Sequence, residues 1–364
     1  MRGAANTGGA ANGGDGANAG DAANAHGSAT MPVLIRPTED RSLTALLARF
    51  EAERAGMLAA LQATGALLFR GWDTANAESI EAVARAINPD LKNEYLGTSP
   101  RNALTKYVFT ASELPPFYPI PQHCEMSFTK APPTHLFFGC LVPNRAPGGE
   151  TPLVDVRKVW KELAPDVRER FEKKGVTNIR NYAGLGGSAW WDPWKLKRWD
   201  EMFGTTDRDA VTSKCESEGF TATWDASGRL RLVNTQPAFR AHPASGELAW
   251  FNHSQVFHRE AVPPEYGRIA ARMGPKWRFW QGLAWVLLRL KGVFEKPENA
   301  AMHCTFGDGS EISAGDMEAV REAIWRNLVA IPWERGDIVA IDNRVVAHGR
   351  LPYSGERLVA VAWA

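Results

Sequence analysis

The sequence predicts a mainly β fold, a double-stranded β-helix (jelly roll) with flanking helices and a long insertion between core strands. Short segments rich in β-favouring residues recur from about residue 115 to the C-terminus, separated by turns of Gly, Pro, Asp and Ser. Helical periodicity is concentrated at the front of the chain and between the β-rich segments. No glycine-rich phosphate loop precedes a helix, which argues against Rossmann and P-loop folds.

The first ninety residues contain the clearest helical patterns. Apolar residues at helical spacing predict a helix over residues 43–61, with Gly65 as its stop signal. A short apolar run at 66–69 indicates a buried strand, and residues 77–87 predict a second amphipathic helix that ends at Asn88-Pro89. This opening is typical of a helical cap on a sheet.

The rest of the chain alternates between strand-like and helical segments. Residues 165–174 and 192–218 indicate helices and loops over the sheet, and residues 315–328 predict a helix with Asp316 as its N-cap. The strand-like segments are HCEMSF (123–128), THLFFGCLV (134–142), TPLVDV (151–156), FTATWD (220–225), GRLRLVN (228–234), ELAWFN (247–252), WERGDIVAIDN (333–343) and RLVAVAWA (357–364).

Composition excludes several classes of partner. The chain has 364 residues, a net charge of +1, 44% hydrophobic residues and 14 Trp, which is enough for a substantial core. A balanced charge argues against nucleic acid and against a membrane surface as the main partner. The four cysteines lie far apart, so neither a zinc ribbon nor a disulfide framework is indicated, and we expect a reducing, cytoplasmic compartment.

The N-terminal segment differs from the rest. Residues 1–30 contain ten Ala, eight Gly and four Asn and no large aliphatic or aromatic residue except the initial Met, so we expect a disordered tail. Met31 begins the first segment of globular character, which suggests that the tail is an upstream extension. We expect residues 31–364 to form a single domain with a helical and loop insertion at about 160–250. The longest apolar stretch, residues 282–288, is too short to span a bilayer.

Two His-x-Glu motifs are candidate metal sites, namely His123 with Glu125 and His258 with Glu260. Positions i and i+2 of a strand share one face, so an imidazole and a carboxylate at this spacing can bind one ion. Two His and one carboxylate leave open positions on iron, as non-haem Fe(II) oxygenases require. With eight His and 41 acidic residues such motifs arise by chance, so their surroundings must decide.

Four motifs occur in a specific order along the chain. They are HxEMS at 123–127, GGET at 148–151, HPxSGExxWFN at 242–252 and WxxGDxxxIDNxxxxHGRxPYxGxR at 333–357. With them the sequence resembles the TauD/TfdA-like superfamily of Fe(II)- and 2-oxoglutarate-dependent dioxygenases over most of residues 60–364. Within it, the branch of clavaminate synthase and the SyrP-type hydroxylases is the most similar.

The resemblance implies a role for five residues. His123, Glu125 and His348 would be the iron ligands, Arg357 would bind the distal carboxylate of 2-oxoglutarate as a bidentate fork, and Thr151 would hydrogen-bond the same cosubstrate. O₂ would be the second cosubstrate.

Arg350 competes with Arg357 for the role of anchor. Alternation along the terminal strand places Arg357 on a defined face, whereas Arg350 lies in the approach to a turn, so we favour Arg357. The second motif, at His258, lacks a following strand and a GGET-like turn, so we expect it to line or close the pocket.

The resemblance also constrains the reaction. Related iron halogenases replace the carboxylate by a small residue, and since Glu125 is intact we expect no halogenation. Glu in place of the commoner Asp is similar to the clavaminate synthase branch, whose members oxidise amino acids or amino-acid-derived substrates, free or tethered to a carrier protein. We therefore expect hydroxylation of an unactivated C–H bond in specialised metabolism. Desaturation, cyclisation, oxidation of a small sulfonate or carboxylate, or a non-catalytic jelly-roll binding protein are the alternatives.

Weaker signals concern the substrate pocket. Asn181, Asn252 and His253 are candidate substrate contacts, although each could equally be an ordinary satisfied polar group. Tryptophans crowd a segment after residue 187 and could form an aromatic lid or pack against the sheet, with packing favoured. They are Trp190, Trp191, Trp194 and Trp199.

Overall fold

The computed structural model describes residues 30–94, 101–187 and 196–364. Residues 31–364 form one compact unit. Of the tail expected at residues 1–30, all but Thr30 lies outside the described residues.

The strands assemble into four sheets. They are β1 (Val33–Ile35), β2 (Ala66–Phe69), β3 (Phe109–Thr110), β4 (Ile120–His123), β5 (His135–Val142), β6 (Leu153–Asp155), β7 (Val176–Tyr182), β8 (Thr221–Trp224), β9 (Leu230–Gln236), β10 (Phe239–Ala241), β11 (Leu248–Trp250), β12 (Met302–Phe306), β13 (Leu328–Val329), β14 (Ile338–Asp342), β15 (Val346–Arg350) and β16 (Leu358–Trp363). The larger core sheet has the order β1-β2-β14-β5-β16-β3, and the smaller has the order β13-β6-β15-β4. These two sheets form the predicted jelly roll, so the fold class is confirmed.

Helices flank this core and fill the insertion. They are α1 (Leu43–Ala52), α2 (Arg54–Thr64), α3 (Ala77–Ile87), α4 (Val156–Glu162), α5 (Pro165–Lys174), α6 (Trp199–Phe203), α7 (Arg208–Ser217), α8 (Ser254–Phe257), α9 (Val262–Met273), α10 (Trp277–Phe294) and α11 (Ala314–Arg326). No helix in the described part of the chain is long and apolar enough to cross a membrane.

The larger sheet is buried on both faces. In β5, Leu136 and Phe138 belong to the core between the two sheets, whereas Phe137 belongs to a second core under α1–α3. The ring centroids of Phe138 and His348, which lies on β15 of the opposite sheet, are 4.9 Å apart. Strands buried on both faces appear as continuous apolar runs, which is the pattern of THLFFGCLV.

The insertion joins β6 to β13. It contributes the sheet β12-β7-β9-β8 and the hairpin β10-β11. It therefore contains residues 160–250 together with α9, α10, β12 and α11, and it places a second layer of structure beside the smaller core sheet.

The predicted helix at 43–61 is in fact two helices, α1 and α2. The backbone leaves helical geometry at Glu53, with φ −107° and ψ 13°. The apolar pattern explains the break, because no large apolar residue lies between Phe50 and Met57, so no large apolar side chain of residues 51–56 anchors this segment in the core. The strand at 66–69 and the helix at 77–87 have the predicted bounds.

Two local predictions need correction. In HCEMSF only His123 is in a strand, and residues 125–128 form a turn. The last predicted helix begins at Ala314, and its N-cap is Ser313, whose Oγ accepts a hydrogen bond from the Asp316 amide at 3.0 Å. Asp316 instead pairs with Arg170 through its carboxylate.

Close packing of α3 on β5 gives a stability prediction. A Cβ on Gly139 would overlap the Cγ1 and Cδ1 atoms of Ile80, which is fully buried. Gly139→Ala should lower the free energy of unfolding by about 1–3 kcal/mol through overpacking. Urea denaturation measures this, and the Gly139→Ala/Ile80→Ala double variant should lose less stability than the sum of the two single changes because the two sites couple.

Gly56→Ala is the matched control, because a Cβ at Gly56, in α2, meets nothing within 4 Å. It should stabilise the protein by up to about 1 kcal/mol through helix propensity. Equal effects of the two Gly→Ala changes would contradict this description of the packing.

Candidate metal centre

Two histidines meet across neighbouring strands of the smaller sheet. His348 on β15 is the antiparallel partner of His123 on β4. The centroids of the two rings lie 4.5 Å apart. The sheet register thus brings together two residues that are distant in the sequence.

Glu125 completes a three-residue cluster. Its Oε2 lies 3.7 Å from His348 Nε2, and one donor atom from each of His123, Glu125 and His348 lies within 4.8 Å of the others. In the described part of the chain this is the one group of three or more His, Cys, Asp or Glu that could hold a metal ion. Glu125 reaches it from the turn after β4, so the prediction that His123 and Glu125 share a strand face was wrong, although the two side chains do lie close together.

Asn343 holds the turn that carries Glu125. Its Oδ1 accepts a hydrogen bond from the Glu125 amide at 2.7 Å, and its Nδ2 donates to the Glu125 carbonyl at 3.0 Å and to the Pro133 carbonyl at 2.8 Å. Asn343 is fully buried. The next residue in the turn, Met126, has φ +50°, a left-handed conformation that is energetically costly for residues other than glycine. The amide clamp therefore positions the carboxylate through its main chain.

His123 and Glu125 have the protonation states that a divalent cation needs. His123 Nδ1 donates to the Pro121 carbonyl at 2.8 Å, which leaves Nε2 without a proton. Burial, together with His348, lowers the pKa of His123 to about 4. Burial alone would raise the pKa of Glu125, but Arg101, at 2.8 Å from Oε2, and the two histidines outweigh it and hold that pKa well below its usual range. A neutral imidazole and a carboxylate are ligands that suit Fe(II).

Arg357 and Thr151 lie together beside the GGET turn. Arg357 Nε donates to the Gly149 carbonyl at 2.6 Å, and Nη2 donates to Thr151 Oγ1 at 3.3 Å. No described acidic side chain forms a salt bridge with Arg357. Burial, with Arg350 nearby, lowers the pKa of Arg357 to about 10. A buried guanidinium among neutral partners is suited to binding a carboxylate.

The backbone geometry of the GGET turn requires glycine at both of its first two positions. Gly148 and Gly149 have φ of +105° and +79°. A Cβ on Gly148 would overlap the Pro352 carbonyl oxygen. Only glycine allows the turn to pass this close to the segment that leads to Arg357.

The hydrogen-bond partners of Arg350 differ from those of Arg357. Its guanidinium donates to the carbonyls of Leu114, Pro115 and Tyr118 at 2.7–2.9 Å. These bonds tie down the loop before β4, so both Nη atoms of Arg350 are engaged by main-chain oxygens.

A cavity extends from the metal cluster to the surface. Its empty volume is about 1140 Å³, a figure that includes open solvent at its mouth. Most of its lining is apolar, and its charged groups besides Glu125 are Arg259 and Lys291. The lining residues include His123, Glu125, Phe128, His253, Phe257, Val262, Ala284, Leu288 and Met302.

The structure separates the three candidate substrate residues. His253 lines the cavity, its ring centroid is 5.1 Å from that of His123, and its Nδ1 shares a hydrogen bond of 2.7 Å with Ser127 Oγ. Asn181 Nδ2 instead donates to the carbonyls of Glu298 and Ala300. Asn252 Nδ2 donates to the Ala238 carbonyl, and its Oδ1 accepts from the Ser254 amide and hydroxyl. The structure thus brings only His253 close to the metal cluster.

The second His-x-Glu motif is fixed by other contacts. His258 Nε2 donates to the Ile312 carbonyl at 3.1 Å, and Nδ1 accepts from the Glu260 amide. His258 also lines the cavity, at a place outside the metal cluster.

The tryptophan segment is described only in part. Trp199 is fully buried at the start of α6, and its Nε1 donates to the Gly228 carbonyl. Trp190, Trp191 and Trp194 lie outside the described residues.

Sequence reasoning missed two residues that contact Glu125. Asn343 is part of the IDN motif at 341–343, so the motif was a signal for it, although its contact was not foreseen. Nothing in the sequence around Arg101 indicates its ion pair with Glu125. The same motif also contains Asp342, whose Oδ2 accepts a hydrogen bond from His242 Nε2 at 2.9 Å. This bond joins the HPxSGE motif of the insertion to the jelly roll.

Comparison with known protein families identifies the family of this chain. Residues 34–363 match the family described as "Taurine catabolism dioxygenase TauD, TfdA family". The chain belongs to the TauD/TfdA family. This TauD/TfdA protein is therefore an Fe(II)- and 2-oxoglutarate-dependent dioxygenase, which confirms the resemblance found in the sequence.

Two relatives match most of the TauD/TfdA chain. The dapdiamide synthesis protein DdaC of Enterobacter agglomerans is 26% identical over 305 residues, which is 83% of this chain and 82% of DdaC. A clavaminate synthase-like protein of Arabidopsis thaliana is 29% identical over 305 residues, with 82% and 81% covered.

Solved structures were also compared. PvcB of Pseudomonas aeruginosa has a TM-score of 0.47 at 13% identity and covers 91% of this chain and 84% of its own. A taurine dioxygenase of Burkholderia xenovorans has a TM-score of 0.45 at 15% identity, with coverage of 86% and 79%.

The amide clamp gives a prediction for metal affinity. Asn343→Ala removes both hydrogen bonds to the main chain of Glu125, so Mn(II), used as a stable substitute for Fe(II), should bind about 10–100-fold more weakly. Isothermal titration calorimetry under anaerobic conditions measures this. Asn234→Ala is the control, because it removes a side-chain amide that accepts a hydrogen bond from Asn178 in the sheet β12-β7-β9-β8. Unchanged Mn(II) affinity in a folded Asn343→Ala protein would contradict the clamp.

Proposed function

We propose that the protein hydroxylates an unactivated C–H bond of an amino acid or an amino-acid-derived substrate, free or bound to a carrier protein, in specialised metabolism. One observation carries the proposal: His123, Glu125 and His348 lie close together, and His123 and Glu125 line a largely apolar cavity. A cavity of this kind excludes water from a reactive centre and leaves the C–H bonds of a substrate next to it.

Each residue of the site has a distinct task in this proposal. His123, Glu125 and His348 hold Fe(II), and Arg357 with Thr151 binds the distal carboxylate of 2-oxoglutarate. When bound, iron and 2-oxoglutarate together supply the oxidation of the substrate by O₂, with succinate and CO₂ as co-products. Asn343 and Arg101 keep the Glu125 carboxylate in place. His253, fixed by Ser127, contacts the substrate from the cavity wall.

The cavity supports an amino-acid-derived substrate. Phe128, Phe257 and Val262 provide apolar contact for a side chain or an acyl chain. The cations in the lining, Arg259 and Lys291, pair with Glu311 at 3.5 Å and with Glu295 at 3.3 Å, and an anionic group of the substrate would exchange with these partners. The name of DdaC, a dapdiamide synthesis protein, supports a role in specialised metabolism. The four cysteines are buried free thiols, which supports a reducing, cytoplasmic compartment.

The anchor residue is tested by binding of 2-oxoglutarate to the Mn(II)-loaded protein. Arg357→Lys replaces a planar fork with a point charge and should weaken 2-oxoglutarate binding at least about tenfold. Arg357→Met should weaken it further. Both changes should leave Mn(II) affinity within about threefold, because Arg357 is not a metal ligand in this proposal.

Arg350→Lys is the matched control for the anchor. Arg350 donates its hydrogen bonds to the carbonyl oxygens of Leu114, Pro115 and Tyr118. Its replacement should therefore disturb the loop at 114–118 more than it disturbs 2-oxoglutarate binding. A larger loss of 2-oxoglutarate affinity in Arg350→Lys than in Arg357→Lys would reverse the assignment.

The activity itself is tested by succinate formation. Wild-type protein with Fe(II), ascorbate and 2-oxoglutarate should form succinate when a panel of amino acids, amino-acid conjugates and carrier-bound acids is added. The product of an active substrate should gain 16 mass units. His348→Ala should reduce succinate formation to background, because two ligands hold Fe(II) far more weakly than three. Equal succinate formation by wild type and His348→Ala would refute the proposal.

A further inference from the structure

The first part of the C-terminal motif has no task in the proposed function. The motif begins with WxxGD, which contains Trp333 and Asp337, whereas the metal ligand His348 and the anchor Arg357 come from its later part. Trp333 lies outside the strands, and it packs, partly buried, against the core between the two jelly-roll sheets. Its side chain therefore contributes to the interior of the jelly roll.

Trp333 lines a small cavity next to the proposed anchor of 2-oxoglutarate. The empty volume of this cavity is about 280 Å³, a figure that includes open solvent at its mouth, and its lining also includes Thr151 and Leu153. Because Val329 of β13 is opposite Leu153 of β6, the segment that follows β13 runs back towards the GGET turn. Thr151 links the cavity to the anchor, since its Oγ1 accepts a hydrogen bond from Arg357 Nη2. The cavity therefore adjoins the position proposed for the distal carboxylate.

The indole N–H of Trp333 needs an acceptor. Nε1 is buried and has no hydrogen-bond partner among the residues that the structure describes. An indole nitrogen can only donate, so it cannot be satisfied by a neighbouring donor. Buried polar groups are nearly always hydrogen-bonded, and an orphaned donor on a side chain that lines a cavity indicates an acceptor that binds in that cavity.

The ion pair in the same cavity lining does not supply this acceptor. Arg70 donates to Asp337 through Nε at 3.0 Å and through Nη2 at 2.6 Å, and Asp337 Oδ2 also accepts from the Glu334 amide at 2.8 Å. Arg70 Nη2 donates to the Pro332 carbonyl as well, at 2.7 Å. The pair thus fixes the main chain on both sides of Trp333, while the fully buried Asp337 carboxylate stays committed to other donors.

A carboxylate at the anchor can accept a further hydrogen bond. Arg357 Nε is engaged by the Gly149 carbonyl, so the guanidinium presents its two Nη atoms to a ligand. The Thr151 hydroxyl accepts from Nη2 and keeps its own proton to donate. A carboxylate has about four acceptor sites, which these two side chains do not saturate. A neutral N–H can fill one of the remaining sites without adding charge.

We infer that the Trp333 indole N–H binds the distal carboxylate of 2-oxoglutarate, as a third donor beside Arg357 and Thr151. Arg70 and Asp337 are positioning residues, because they hold the main chain on either side of the indole. This inference rests on the roles of Arg357 and Thr151 in the proposed function, and it gives the WxxGD part of the motif a binding role.

Two ligands that differ in the distal group test the inference. 2-Oxoglutarate and 2-oxopentanoate share the 2-oxo acid end and the length of the carbon chain, but 2-oxopentanoate ends in a methyl group. Trp333→Phe keeps an aromatic ring and removes the N–H. In anaerobic isothermal titration calorimetry on the Mn(II)-loaded protein, Trp333→Phe should bind 2-oxoglutarate about tenfold or more weakly than wild type, and 2-oxopentanoate within about threefold of wild type.

Trp160→Phe is the matched control. Trp160 also packs, partly buried, against the core between the sheets, but its Nε1 donates to Glu172 Oε1 at an exposed site. This variant should bind both ligands like wild type. Thermal unfolding checks that both variants are folded.

The indole N–H itself provides a direct readout by NMR. In protein labelled with ¹⁵N-tryptophan and loaded with diamagnetic Zn(II), the Trp333 signal is identified by its absence from the Trp333→Phe spectrum. Trp333→Tyr serves this purpose if the Phe variant does not fold. Saturating 2-oxoglutarate should move the Trp333 signal downfield and slow its exchange with solvent, and 2-oxopentanoate should not. The Trp160 signal should stay unchanged.

Three results would overturn the inference. Equal losses of affinity for the two ligands in Trp333→Phe would make Trp333 a packing residue. Unchanged 2-oxoglutarate affinity would assign its N–H to an ordered water. A Trp333 signal that responds equally to both ligands, or to neither, would exclude contact with the distal carboxylate.

Comparison with Arg357→Lys separates this inference from the proposed function. Loss of 2-oxoglutarate affinity in Arg357→Lys alone would leave the proposed anchor intact and count against Trp333. Loss in Trp333→Phe alone would support the role of Trp333 and count against the proposed anchor. Full affinity in both variants would count against both assignments.

Discussion

The arrangement of the site depends on the register between β4 and β15. Because His123 and His348 are direct partners across this ladder, their side chains emerge on the same face at the closest spacing a sheet allows. A slip of one residue would turn one imidazole away from the other. The neighbouring strand β6 fixes β15 on its other side, with Leu153 opposite His348. The jelly roll thus acts as a rigid frame that brings together residues from distant parts of the chain.

The third donor and the cavity depend on polar contacts between the frame and its insertion. Asn343 fixes the Glu125 turn through the main chain, and the adjacent Asp342 binds His242 of the insertion. Asp342 and Asn343, at the end of β14, therefore hold both the Glu125 carboxylate and the segment of the insertion that leads to the cavity wall. Since these groups are buried, the loss of one partner leaves the other unsatisfied, which makes the arrangement sensitive to single substitutions.

Much of this arrangement could be predicted from the sequence, and the failures have physical causes. Continuous apolar runs and Gly-Pro turns predicted β5, β14 and β16, and motif order selected His123, Glu125 and His348. Local patterns failed where tertiary contacts decide the backbone. The turn at Glu125 is held by Asn343 from a distant strand, and the break at Glu53 lies where no side chain reaches the core. Arg101 could not be found, because an ion pair between distant residues has no signature in either segment.

The proposed function requires Fe(II) at His123, Glu125 and His348 and the distal carboxylate of 2-oxoglutarate at Arg357. The most direct test is a crystal structure of the protein with Mn(II) and N-oxalylglycine, with the metal located by anomalous scattering. The account predicts one strong peak within about 2.5 Å of His123 Nε2, His348 Nε2 and a Glu125 carboxylate oxygen, and the distal carboxylate of N-oxalylglycine on Arg357. A metal bound elsewhere, or an analogue carboxylate held by Arg350 or Lys291, would contradict it.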